Sequence, residues 1–148
     1  MPVTNIPDDH HVVRHCRKRV TIRENGVVIG IQPTAFHFRP ANPPLRPKPE
    51  DYLSTVYFEF FNGQPDQMKL CCGALAFTPK PADALARLNV ALLKAPFKEQ
   101  QVAIRVTHEG GGKHHAAYSA IRPGKLTDLL CLKIATTAII EIREVKTL

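Results

Sequence analysis

Hydrophobic and polar positions alternate with a period of two along much of this chain, and the alternation is broken at regular intervals by turn-forming residues. Residues 17–23 and 27–32 are two such runs, joined by Asn25-Gly26, a dipeptide that tolerates the positive φ angles of a two-residue type I′ turn. The pattern predicts a β-hairpin. With Glu24 opposite Val27, Ile22 falls opposite Ile29 and Val20 opposite Ile31. One face is then dry, and the other carries Arg17, Arg19, Thr21 and Arg23. The second strand is expected to continue through 34–38, where Phe36 and Phe38 alternate with His37, after a bulge or an edge position at Pro33. Residues 40–51 hold five prolines, which deny a sheet its N–H donors, so this segment reads as a long surface loop.

Residues 52–61 are aromatic and β-branched, apolar on both faces except for Ser54, Thr55 and Glu59. They are expected to form a central strand covered on both sides, or a subunit contact. A dense turn signal at 62–66 then leads into 68–77, which suggests a second hairpin. Thr78 is placed to cap a helix entered through Pro79 and Pro81, and Leu85, Leu88 and Leu92 recur at i, i+3 and i+7, which predicts one helix over about 81–94. A third hairpin is expected from 101–109 and 114–121 around Gly110-Gly111-Gly112-Lys113. Pairing His108 with His114 puts Val106, Ile104 and Val102 on one face and turns Arg105, Thr107, His115 and Ser119 outward. Residues 129–134 and 138–145 read as two short strands or one long bent one.

The expected fold is therefore mostly-β or α+β. Antiparallel hairpins form a small barrel or a strongly twisted sheet with one helix, in an element order that matches the outline of an OB-type barrel. Residues 1–10 are expected to be a flexible tail and 11–148 a single globular domain. Composition adds two exclusions. A hydrophobic share of 44% with 22% charged residues is too apolar for a disordered chain, and no apolar run reaches the roughly 18 residues that cross a bilayer. The first residues lack the basic and apolar regions of an export signal, so no membrane and a cytoplasmic location are expected, with all four cysteines reduced.

Charge changes the picture more. The net charge is +7, and residues 14–23 carry five cations without one acid, so Arg17, Lys18, Arg19 and Arg23, with Arg105, are candidate contacts to an anionic polymer such as nucleic acid. His108 and His114, brought together by the expected register, are weak candidates for metal ligands. The glycine-lysine loop lacks the strand-to-helix setting of a phosphate-binding loop. No nucleophile sits beside a base: His15 and Cys16 are neighbours in a strand and point to opposite faces. No cofactor is expected. The leading functional reading is a non-catalytic binding or assembly module that acts through protein contacts or self-association, using the aromatic strand or the edge of 138–145. An OB-like nucleic-acid-binding domain and a small metal-dependent enzyme are the alternatives.

Overall fold

The computed structural model describes residues 3–111 and 114–148. Among these residues nine strands form: β1 (Thr4–Asn5), β2 (His11–Cys16), β3 (Thr21–Glu24), β4 (Val27–Ile31), β5 (Leu53–Tyr57), β6 (Ala84–Asn89), β7 (Ile104–His108), β8 (Tyr118–Pro123) and β9 (Ile139–Glu144). Three helices accompany them: α1 (Gln67–Gly73), α2 (Val90–Glu99) and α3 (Asp128–Lys133). Seven strands make one sheet in the order β1-β7-β8-β5-β2-β6-β9, every pair antiparallel, and β3 with β4 makes a separate hairpin. The α+β, antiparallel character is as expected. Closure is not, because β1 and β9 end the sheet on opposite sides and do not pair, so the sheet stays open and no barrel forms. Among the described residues no helix is long and apolar enough to cross a membrane.

Each face of the sheet buries its own apolar set. Val12, Leu53, Leu88 and Ile121 pack under α2 and α3, while Val13, Val56 and Leu85 pack under Met68 and Cys71 of α1. Coverage on both sides explains the largest error of the sequence reading, the helix over 81–94. Ala84, Leu85, Ala86 and Leu88 are all fully buried in β6, so the strand needs no polar alternation and its leucines imitate a helical spacing. The helix begins only at Val90, where the Asn89 side chain accepts the amide of Leu92 at 3.0 Å. Its buried stripe is Val90, Leu93 and Phe97, Pro96 lies inside it, and Leu92 points outward.

Two further expected strands are instead helices with side-chain caps. Asp66, in a left-handed conformation, caps α1 within 68–77 by accepting the amide of Lys69, and Thr127 caps α3 within 129–134 by accepting that of Leu130. Residues 138–145 do form a strand, β9. Pro33–Phe36 is a single 3₁₀ turn that seats Phe36 in the core, rather than a continuation of β4. The expected tail is anchored at 3–10: β1 pairs with β7, and Ile6 is buried as its amide donates to the Val106 carbonyl.

The Asn25-Gly26 turn forms as predicted, with φ angles of 52° and 77°. The turn end of the hairpin it makes is inverted relative to expectation. The register shifts by one between Ile22 and Arg23, so Ile22 meets Gly30 instead of Ile29. Thr21 is buried and Arg23 turns inward, while Ile22 and Ile29 of the expected dry face are 42% and 57% exposed; Ile31 of that face is buried and Val20 packs against the core, as expected. In the β7–β8 hairpin the register differs by five residues, and His108 meets Ser119. The connection folds back on itself, and a Cβ on Gly110 would stand 1.8 Å from the Ala116 carbonyl oxygen, so only glycine fits there. Thr107 and Ser119, expected to face outward, are fully buried.

Candidate nucleic-acid interface

Antiparallel registers bring chain segments that are far apart in sequence to the same end of a sheet. Arg105 on β7 lies directly opposite Arg122 on β8, and the Arg122 guanidinium stands 4.9 Å from the ring centre of Tyr52, just before β5. β2 runs antiparallel to β5, so its C-terminal end, followed at once by Arg17, Lys18 and Arg19, lies at this end too. Three strand spacings separate β7 from β2, roughly 14 Å.

The loop before β5 belongs to the same end. Its base is tied by Arg39 and Glu50: the Arg39 amide donates to Glu50 at 2.7 Å, and the guanidinium donates at 2.8 Å. Within the loop, Asn42 and Arg46 exchange backbone bonds of 2.7 and 2.9 Å, and Arg46 Nε donates to the Pro40 carbonyl. Lys48 projects from this braced turn, and Lys125 follows β8.

Arg17, Lys18, Arg19, Lys48, Arg105 and Lys125 are all exposed, and none forms an ion pair among the described residues. Of the nearby acids, Glu50 is engaged by Arg39, while Asp51 and Asp128 are exposed. Of the five cations expected from sequence, Arg17, Lys18, Arg19 and Arg105 therefore share this end. Arg23 does not. Its Nη1 donates to Glu144 at 3.1 Å and its Nη2 to the Ala82 carbonyl, because the inverted hairpin turns it against the sheet. Lys48 and Lys125 were missed, since only the register and the loop brace bring them beside the others.

Arg14 and Arg122, although close by, are occupied. The β2–β5 pairing stops at Val13 and Val56, and the Arg14 guanidinium fills the split, donating to the Ser54 carbonyl at 2.8 Å and twice to that of Ala35. Burial lowers its pKa from the ordinary value. Arg122 forms a two-armed ion pair with Glu109 at 2.6 and 2.7 Å. That pair, with the Thr107 hydroxyl and burial acting against each other, holds the Glu109 carboxyl at about 2.

The opposite end of the sheet collects histidines and acids. His10 and His11 precede or begin β2, His108 ends β7, and His114 and His115 precede β8, with Asp8, Asp9, Glu59 and Glu109 among them. His10 Nδ1 lies 2.5 Å from the Tyr57 hydroxyl, and the His108 ring packs at 5.1 Å from the Tyr57 ring. The expected metal pair is not assembled. His108 Nε2 donates to the Ala116 carbonyl at 2.7 Å, whereas His114 stacks on Tyr118, which faces the other side of the sheet from the Ser119 partner of His108. Among the described residues no group of three or more His, Cys, Asp or Glu could hold a metal ion.

Two histidine-carboxylate pairs that sequence could not foresee lie on the α1 face of β2. His11 Nδ1 meets Glu59 at 2.7 Å, and His15 Nε2 meets Asp83 at 2.8 Å. Burial pushes Asp83 upward, but His15 and the amides of Lys80 and Lys18 outweigh it and hold the carboxyl below its usual range. Burial likewise lowers His15 despite its partner. Both pairs tie β2 to neighbouring segments of the chain. Comparison with family models, curated proteins and solved structures finds no match for this chain.

Proposed function

We propose that this protein is a non-catalytic module that binds the phosphate backbone of a nucleic acid at the basic end of its sheet. The observation that carries the reading is the set of six exposed cations delivered there by four separate segments, none of which forms an ion pair among the described residues; the exposed acids next to them in sequence are Asp51 and Asp128. Each cation that meets a phosphate releases a condensed counterion, so binding falls steeply with salt. The row from Arg105 to Arg17, roughly 14 Å, spans about four base-pair rises of 3.4 Å. Tyr52, the aromatic residue in that row, lies beneath the Arg122 guanidinium, so the contact is with backbone charge, and recognition is indifferent to base sequence.

The test is fluorescence anisotropy with labelled duplex and single-stranded DNA across about 50 to 200 mM salt. The reading expects log-linear weakening with salt, similar for unrelated sequences. Absence of binding at the lowest salt, or binding with no salt dependence, would defeat it.

A further inference from the structure

An edge strand offers unused backbone donors and acceptors along its open side. β9 is such a strand, the outermost on its side of the sheet. The Val145 amide donates to the Asp83 carbonyl at 2.9 Å, which fixes the alternation along the β6–β9 ladder. Glu141, Arg143 and Val145 turn their backbone groups toward β6, and Ile142 and Glu144 turn theirs outward. The Glu144 carbonyl accepts the Thr147 hydroxyl at 2.7 Å, and its side chain meets Arg23 of the hairpin. Ile142, half-buried against the core where β4 packs on β9, keeps an N–H and a C=O that no backbone bond among the described residues takes up on that side, beside Ile140, which is 46% exposed.

We propose that β9 pairs antiparallel with β9 of a second copy about a two-fold axis through Ile142, joining the two sheets edge to edge. Charge selects both the partner and the register. With the axis at Ile142, the two Ile142 residues exchange N–H···O=C bonds, and each Glu141 lies opposite the partner's Arg143 on one face. An axis at Glu141, Arg143 or Glu144 instead places two like charges directly opposite each other. Arg143 forms no ion pair within its own chain among the described residues. Glu141 lies 3.0 Å from Arg87 Nε without the alignment of a hydrogen bond, so its carboxylate keeps acceptor capacity for a second guanidinium. This pairing occupies the edge of the sheet and does not depend on the basic end.

Sedimentation velocity from low to high micromolar concentration tests it, with circular-dichroism melting of every variant as the check on folding. The wild-type chain is expected to be dimeric. Ile142→Pro removes an outward N–H and no bond to β6, and is expected to give a monomer. Arg143→Glu sets like charges across the axis and is expected to raise the dimer dissociation constant at least tenfold. Adding Glu141→Arg to it is expected to restore the dimer. A wild-type monomer at every concentration overturns the proposal, and so does a dimer that survives both single substitutions. If Ile142→Pro does not fold, the charge reversal and its restoration decide. DNA binding of the same samples is read in parallel, so a monomer that still binds DNA overturns the dimer and leaves the basic-end reading intact.

Discussion

The two ends of the sheet are formed by the same strands, about 17 Å apart along the six residues of β2 at roughly 3.3 Å each. At one end Arg17, Lys18, Arg19 and Arg105 stand in solvent without an ion-pair partner among the described residues; at the other, His10, His11 and His108 are each held by a hydrogen bond to a neighbour. The second set is bound up in the fold, so its polar groups contribute structure. The first set forms no ion pair among the described residues, and on the proposed reading that leaves it available to a ligand. Exposed and unpaired charge marks a surface for a partner, whereas satisfied charge marks scaffolding, even where the residue types look more chemical.

Emptying the basic end is the largest perturbation. Replacing Arg17, Lys18, Arg19 and Arg105 together with Ala removes four phosphate contacts, so the salt slope on duplex DNA should shrink by about 3.6 and low-salt affinity fall on the order of a hundredfold. Anisotropy titrations measure both. An unchanged slope would place the binding elsewhere.

Glu109→Gln sharpens the comparison, because Glu109 reaches from the histidine end to Arg122. Its folded-state pKa of about 2 lies below the ordinary carboxylate value, so its stabilisation is present above about pH 4.5 and is lost as pH falls toward 2. Arg122 is partly exposed, which screens the pair. The substitution should cost on the order of 2 kcal/mol at neutral pH and flatten the acid limb of the stability curve. Because it frees the Arg122 guanidinium, it should also steepen the salt slope by up to about 0.9. Denaturant melts from pH 7 to 2 and the anisotropy series test the two halves; a destabilised variant with an unaltered slope would show that Arg122 does not reach the ligand.

Asn89→Ala removes the α2 cap at the histidine end and should cost about 1 kcal/mol in urea melts with no change in DNA affinity. The smallest effect should come from pH. His10, His11 and His108 lie about 17 Å from the basic end, beyond a Debye length of about 8 to 10 Å, and burial lowers the pKa of the nearer His15, so affinity at 150 mM salt should change by about threefold or less between pH 8 and 6. A steep rise on acidification would mean that the histidine end takes part.

How far this division was legible depends on whether each piece is encoded locally. The Asn25-Gly26 turn was readable because two residues determine it, and Arg17, Lys18 and Arg19 because they are adjacent. β6 was not: fully buried on both faces, its Ala-Leu-Ala-Arg-Leu segment loses the alternation that marks a strand. The hairpin's orientation was also hidden, since a one-residue bulge at Ile29 reverses which face is dry and takes Arg23 out of the site. The five-residue register error at β7–β8 had the widest consequence, because it joined His108 to His114 and hid the true neighbour of Arg105, Arg122. Grouping by sheet end follows from register, and register is set by long-range packing that a linear pattern does not contain.

The most direct test of the division is an amide chemical-shift map of the folded protein titrated with a short DNA oligonucleotide at low salt. The account predicts perturbations at Arg17, Lys18, Arg19, Lys48, Arg105 and Lys125, with the amides around His10, Glu59 and His108 unmoved. Shifts centred on that histidine cluster, or spread evenly over both ends, would contradict it.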